Sequence, residues 1–91
     1  MPIRVLLPQP ILPEGYEYLR SHGFEAVDGR GFTEEDIIAD IGDCDAMIVR
    51  TAKITAKILD AAPRLKIIAR HGAGYDGVDL EAAKRRGVLV C

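Results

Sequence analysis

Short apolar runs return along the chain at an even spacing. They are Ile3–Leu7, Phe24–Val27, Ala46–Val49, Ile67–Ala69 and Val88–Val90, starting about 21 residues apart. Each run is brief, partly β-branched or aromatic, and continuous rather than alternating. That pattern predicts strands buried on both faces of a parallel sheet. Helical signals fill the intervals. Leu12, Tyr16 and Leu19 fall at i, i+4 and i+7, and Gly23 closes the segment. Thr33 opens a Thr-Glu-Glu-Asp start, an N-cap with an acidic first turn, and Ile37, Ile38 and Ile41 form the apolar stripe. Thr55 caps a short helix ended by Pro63, with Ile54 and Leu59 at the spacing of a hydrophobic staple. Asp79 caps the last helix, Leu80, Ala82 and Ala83 face inward, and Gly87 terminates it.

Strands thus alternate with single helices. Crossovers this short force neighbouring strands to run parallel. The predicted fold is α/β, a flavodoxin-like, doubly wound, parallel five-stranded sheet with helices on both faces. A leucine-rich repeat shares the period but would need an L-x-x-L-x-L ladder, which is missing. Residues 1–91 read as one domain, and as an incomplete one: the chain stops at Cys91, at the end of the fifth strand, without a closing helix. It is expected to be a fragment of something longer.

Composition narrows the partners. The 91 residues are 48% hydrophobic and 29% charged, with a net charge of −2. A slightly acidic chain lacks the electrostatic footprint of a nucleic-acid or anionic-membrane binder. Its one basic run, Lys84-Arg85-Arg86, suits a solvated helix C-terminus. Cys44 and Cys91 show no C-x-x-C spacing and read as free thiols of a reducing compartment. The start has no signal-peptide core, and no apolar run nears the ~20 residues of a membrane span. A cytoplasmic location is expected.

In open α/β sheets, ligands bind beyond the carboxyl ends of the strands. Those positions hold Pro8-Gln9-Pro10, Arg50-Thr51, and the stretch from Arg70 through His71, Gly72, Ala73, Gly74 and Tyr75 to Asp76. Two arginines and a Gly-rich turn give a donor-rich rim suited to an anion. The glycines let the backbone approach a ligand, and successive amides form an anion-binding nest. A small carboxylate could sit on the amides of Ala73 and Gly74. Arg50 or Arg70 would add a charge-assisted bond worth about 1.5–3 kcal/mol. A tight βα turn explains the same glycines equally well.

Gly72, Gly74 and Gly77 also match G-x-G-x-x-G, but the context opposes a dinucleotide site. The match follows the fourth strand, the next strand arrives too soon, and the ribose-binding acid about 20 residues on would lie at or past the chain end. Asp76 would moreover face the pyrophosphate. His22 reads as a helix-end surface residue. His71 opens the loop and can donate to a ligand, yet spacing identifies no acidic partner for it. Cys44 lies between Asp43 and Asp45, whose charges raise its pKa and oppose a nucleophilic role. No catalytic triad, P-loop or metal-ligand spacing is present.

Two segments carry a family resemblance. Met47-Ile48-Val49-Arg50-Thr51-Ala52 with Ile54-Thr55 resembles a segment of the phosphoglycerate dehydrogenase-like branch of the D-isomer-specific 2-hydroxyacid dehydrogenases. The run from Arg70 to Ala83, followed by Arg86-Gly87-Val88-Leu89-Val90, is similar to the "R-x-G-x-G-x-D-x-(V/I)-D…A…(R/K)-G-(I/V)-x-V" run of that family. The resemblance spans essentially the whole chain.

It implies an N-terminal flavodoxin-like domain that holds a small anionic 2-hydroxy or 2-keto acid. A downstream Rossmann domain would bind NAD, and hydride would pass between the nicotinamide and C2 of the D-2-hydroxy acid. It assigns substrate binding to the backbone amides of Ala73 and Gly74, and in phosphoglycerate-type members to Arg50 and Arg70. The family's acid–base histidine, its glutamate partner, its orienting arginine and its dinucleotide fingerprint come later in sequence. These 91 residues therefore hold no catalytic residue and are expected to be inactive alone. The resemblance also implies a homodimer, and a closing helix contributed from the far C-terminus. The competing reading is a stand-alone regulatory module that senses a carboxylate or phosphate. A receiver-like module is opposed by Pro8-Gln9-Pro10 and Arg50, which stand where acids are needed.

Overall fold

The computed structural model describes residues 3–9, 11–50, 52–70 and 77–91. Its elements alternate as expected: β1 (Ile3–Leu7), α1 (Pro13–Ser21), β2 (Phe24–Asp28), α2 (Glu34–Ile41), β3 (Ala46–Val49), α3 (Ala56–Asp60), β4 (Ile67–Arg70), α4 (Leu80–Arg85) and β5 (Leu89–Val90). The five strands are all parallel, in the order β2-β1-β3-β4-β5. This is the flavodoxin-like arrangement.

The predicted caps form. Thr33 Oγ1 accepts from the Asp36 amide at 3.2 Å, Thr55 Oγ1 from Ile58 at 3.4 Å, and Asp79 Oδ1 from Ala82 at 3.0 Å. Gly23 and Gly87 take φ values of 81° and 72°, the left-handed turn that ends a helix and that β-carbons disfavour.

Two apolar layers flank the sheet. On one side Ile37 and Ile41 of α2, Ile58 and Leu59 of α3, and Ala82 and Ala83 of α4 pack on Leu6, Met47, Val49 and Ile68. On the other, α1 is the one helix among the described residues: its Leu19 and Tyr16, with Ile11 just before it, pack with Val5, Leu7, Ala46 and Ile48. One helix cannot span five strands. An apolar trough of about 250 Å³ remains on that face, lined by side chains that include Val5, Leu19, Phe24, Ile48, Ile67 and Ala69.

This asymmetry corrects two expectations. Burial on both faces holds for the inner part of β1 and much of β3, but β2 has no fully buried residue and Leu89 of β5 is exposed, because both strands are sheet edges. Leu12 and Leu80, read as inward-facing, are 70% and 47% exposed. Leu12 is the N-cap of α1 and Leu80 the first residue of α4. Helices here begin beyond the carboxyl ends of the strands, so their first side chains overhang the core.

Asp45 ties the amino ends of the strands together. Its Oδ2 accepts from the Arg4 amide at 3.0 Å, its Oδ1 from the Arg64 guanidinium at 3.2 Å, and its own amide donates to Arg4 O at 2.9 Å. The Arg4 amide, and after it Arg64, hold this carboxyl below the usual aspartate range. A carboxyl whose folded pKa is depressed gives stability that is complete at neutral pH and is lost as pH falls through the folded value. Asp45→Asn should therefore flatten the acid limb of the stability curve. Urea midpoints at neutral pH and at about pH 3 check this. An acid limb as steep in Asp45→Asn as in the parent would refute it.

Candidate substrate-binding rim

The strand order changes direction between β1 and β3, and the crevice outside the carboxyl ends of those two strands is the topological switch point where such sheets bind ligands. Arg50 directly follows β3 and is exposed; Arg70 ends β4 and is exposed. The register pairs Val49 with Arg70, so Arg50 comes one residue beyond Arg70's partner on the adjacent strand. The backbones of both arginines therefore share one rim, as the sequence reading requires. The Arg70 amide is fixed by donation to Cys91 O at 2.8 Å.

Three attachments hold the segment after β3. The Ala52 amide donates to Gln9 Oε1 at 3.1 Å, across the β1–β3 crevice. Ile54 pairs with Val78 in a parallel bridge, its amide donating to Gly77 O and its carbonyl accepting from Asp79, each at 2.9 Å. Thr55 Oγ1 donates to Glu34 Oε2 at 2.6 Å, linking the α3 cap to the first turn of α2. The exit of the Gly-rich stretch is thus stitched to the segment that follows Arg50. Residues His71 to Asp76, with Ala73 and Gly74 among them, lie outside the described residues. A hollow of about 380 Å³ adjoins the rim, lined by Phe32, Glu34, Ala52, Lys53 and Thr55.

The other candidates fall into place. His22 is exposed at the end of α1, where it stacks on Tyr18 with ring centroids 4.1 Å apart and its Nδ1 lies 2.9 Å from Tyr18 O. Cys44 is fully buried, its Sγ 3.4 Å from Asp40 O, and its thiol is pushed up to about 11. Burial is the leading cause, with Asp43 second and Asp45 a further contribution in the same direction. At the helix start after the Gly-rich loop, the Asp79 carboxylate accepts from the Ala82 amide of the first turn. Among the described residues no three metal-ligating side chains come together, and no helix is long and apolar enough to cross a membrane.

Sequence reasoning places Gln9 on the rim but gives it no role and misses its contact with Ala52. A polar side chain between two prolines at the end of a buried strand was its one visible signal.

Comparison with known proteins agrees with this fold. The profile of the D-isomer specific 2-hydroxyacid dehydrogenase catalytic domain matches residues 5–91. D-3-phosphoglycerate dehydrogenase of Homo sapiens is 40% identical over 88 residues, covering 96% of this chain and 16% of that protein. The chain superposes on the NAD+-bound 3-phosphoglycerate dehydrogenase of Entamoeba histolytica with a TM-score of 0.87 at 33% identity, covering 99% of this chain and 32% of the other. It superposes on the NADPH-dependent glyoxylate/hydroxypyruvate reductase of Sinorhizobium meliloti, in complex with NADP and malonate, with a TM-score of 0.80 at 36% identity, covering 99% and 28%. The chain thus spans about a sixth of the length of the human relative.

Proposed function

The chain belongs to the D-isomer specific 2-hydroxyacid dehydrogenase family, and from that premise we propose that the protein carrying it is an NAD-dependent oxidoreductase of small D-2-hydroxy acids. These residues form its substrate side. The amides of Ala73 and Gly74 bind the C1 carboxylate, and Arg50 and Arg70 bind a second anionic group. Hydride passes between C2 of the substrate and nicotinamide. The dinucleotide, the acid–base pair and the orienting arginine belong to a downstream Rossmann domain, so the 91 residues alone turn nothing over. The observation that carries this reading is the pairing of β3 with β4, which sets Arg50 and Arg70 at neighbouring strand ends on the rim beside the switch point.

Further features suit the two-domain reading. Leu12, Phe32 and Leu80 are exposed apolar side chains at or just before helix starts on the rim, where a second domain would close. The trough on the α1 face is apolar throughout, as a closing helix from a later part of the same chain would require. Two arginines favour a phosphorylated acid, 3-phosphoglycerate, over glycerate or hydroxypyruvate. The assembly is a homodimer in the cytoplasm.

Steady-state assay of the full-length protein tests the proposal. NADH should form on addition of a D-2-hydroxy acid, with 3-phosphoglycerate the preferred substrate. Absence of nicotinamide reduction with any such acid, and of oxidation with the matching keto acids, would sink it.

A further inference from the structure

Among the described residues, a glutamine side chain spans the β1–β3 crevice. Gln9 follows β1 by two residues and is half-buried; its Oε1 accepts from the Ala52 amide at 3.1 Å, a contact between residues 43 apart in sequence. Ala52 is itself buried, 1% exposed, and stands two residues after Arg50. The anchor of Gln9 is firm in turn. Gly29, at the exit of β2, donates its amide to Leu7 O at 2.9 Å, and a β-carbon on it would stand 3.2 Å from Pro8 Cα. The end of β1 is therefore braced from the β2 side while Gln9 reaches to the β3 side. On the far side of the segment, the Ile54–Val78 bridge fixes its other end.

We propose that Gln9 is a positioning residue for substrate binding: its side-chain carbonyl, by holding the Ala52 amide across the switch-point crevice, fixes where Arg50 stands relative to the bound anion. The inference rests on the reading of Arg50 as a substrate-binding residue. Its physical basis is pre-organisation. A segment held at Ala52 and Ile54 presents a preceding arginine in one place, so less conformational freedom is lost on binding. Acting through Ala52 and Arg50, Gln9 sets affinity rather than the chemical step.

The experiment compares Gln9→Met, which keeps length and loses the acceptor, with Gln9→Asn, which keeps the amide but is one methylene too short. Arg50→Ala is the reference, and all are made in the full-length protein. In both Gln9 variants KM for 3-phosphoglycerate should rise about 2- to 10-fold, with kcat and the urea midpoint little changed. Hydrogen exchange at the Ala52 amide should quicken in parallel. An unchanged KM in either folded Gln9 variant, with KM raised in Arg50→Ala, overturns the role of Gln9 and leaves the substrate site standing. KM unchanged in Arg50→Ala as well means that the reading beneath it has failed. A KM that rises only together with a lowered urea midpoint overturns the proposal in favour of general destabilisation.

Discussion

Arg50→Ala in the full-length protein is expected to raise KM for an acidic 2-hydroxy acid about 10- to 150-fold, the equivalent of one charge-assisted hydrogen bond in a partly desolvated cleft. The value of kcat should change little, because a group that grips substrate and transition state alike is lost from both. The fold should survive: Arg50 is exposed and lies past the last residue of β3, outside both apolar layers. Arg50→Lys is the informative companion. It keeps the charge but loses the planar fork that can grip two oxygens of a phosphate or carboxylate, so its KM should fall between the parent's and that of Arg50→Ala. A substrate with no second anionic group should feel both changes less. The measurement is initial-rate kinetics with 3-phosphoglycerate and glycerate side by side. Equal KM for Arg50→Ala and the parent on the phosphorylated acid would remove Arg50 from the site.

The scaffold of this site was legible because its logic is local. A strand inside a parallel sheet is covered on both faces, so β3 appears in the sequence as an unbroken apolar run, Ala46–Val49, and β1 as a run broken only by Arg4, Ile3–Leu7, both with the observed limits. Caps are equally local, and Thr33, Thr55 and Asp79 each bond an amide three residues on. Legibility failed where the deciding contact is distant. β4 runs on to Arg70, a charged residue that reads as loop until β3 is set beside it. Gln9 acquires a partner only once the sheet order makes β1 and β3 neighbours. Leu12 and Leu80 satisfy helical periodicity, yet periodicity cannot tell that a helix start hangs over the edge of the sheet. The same blindness applies to α1, whose stripe reads like that of the other helices although it is the one helix on its face among the described residues.

Ile68→Ala puts that distinction to a quantitative test. Ile68 is 0% exposed in the centre of β4, paired with Met47 on one side and Val90 on the other, and packed in the layer that α3 and α4 cover. Truncation removes buried methyl groups and leaves a cavity that a sheet residue flanked by two strands has little freedom to refill. The loss should be about 2–5 kcal/mol, a large share of the roughly 5–15 kcal/mol that holds a domain folded. Leu80→Ala deletes a residue of the same class that the apolar pattern also assigned to the core. Its side chain is 47% exposed, so the loss in the isolated domain should stay within about 0.5 kcal/mol. Urea unfolding of both variants, followed by circular dichroism, gives the two midpoints. Comparable losses would mean that α4 buries its first residue, and that the boundary drawn between the core and the rim is misplaced. A wide gap would leave Leu80 at the rim with Leu12 and Phe32, available to a second domain closing over Arg50.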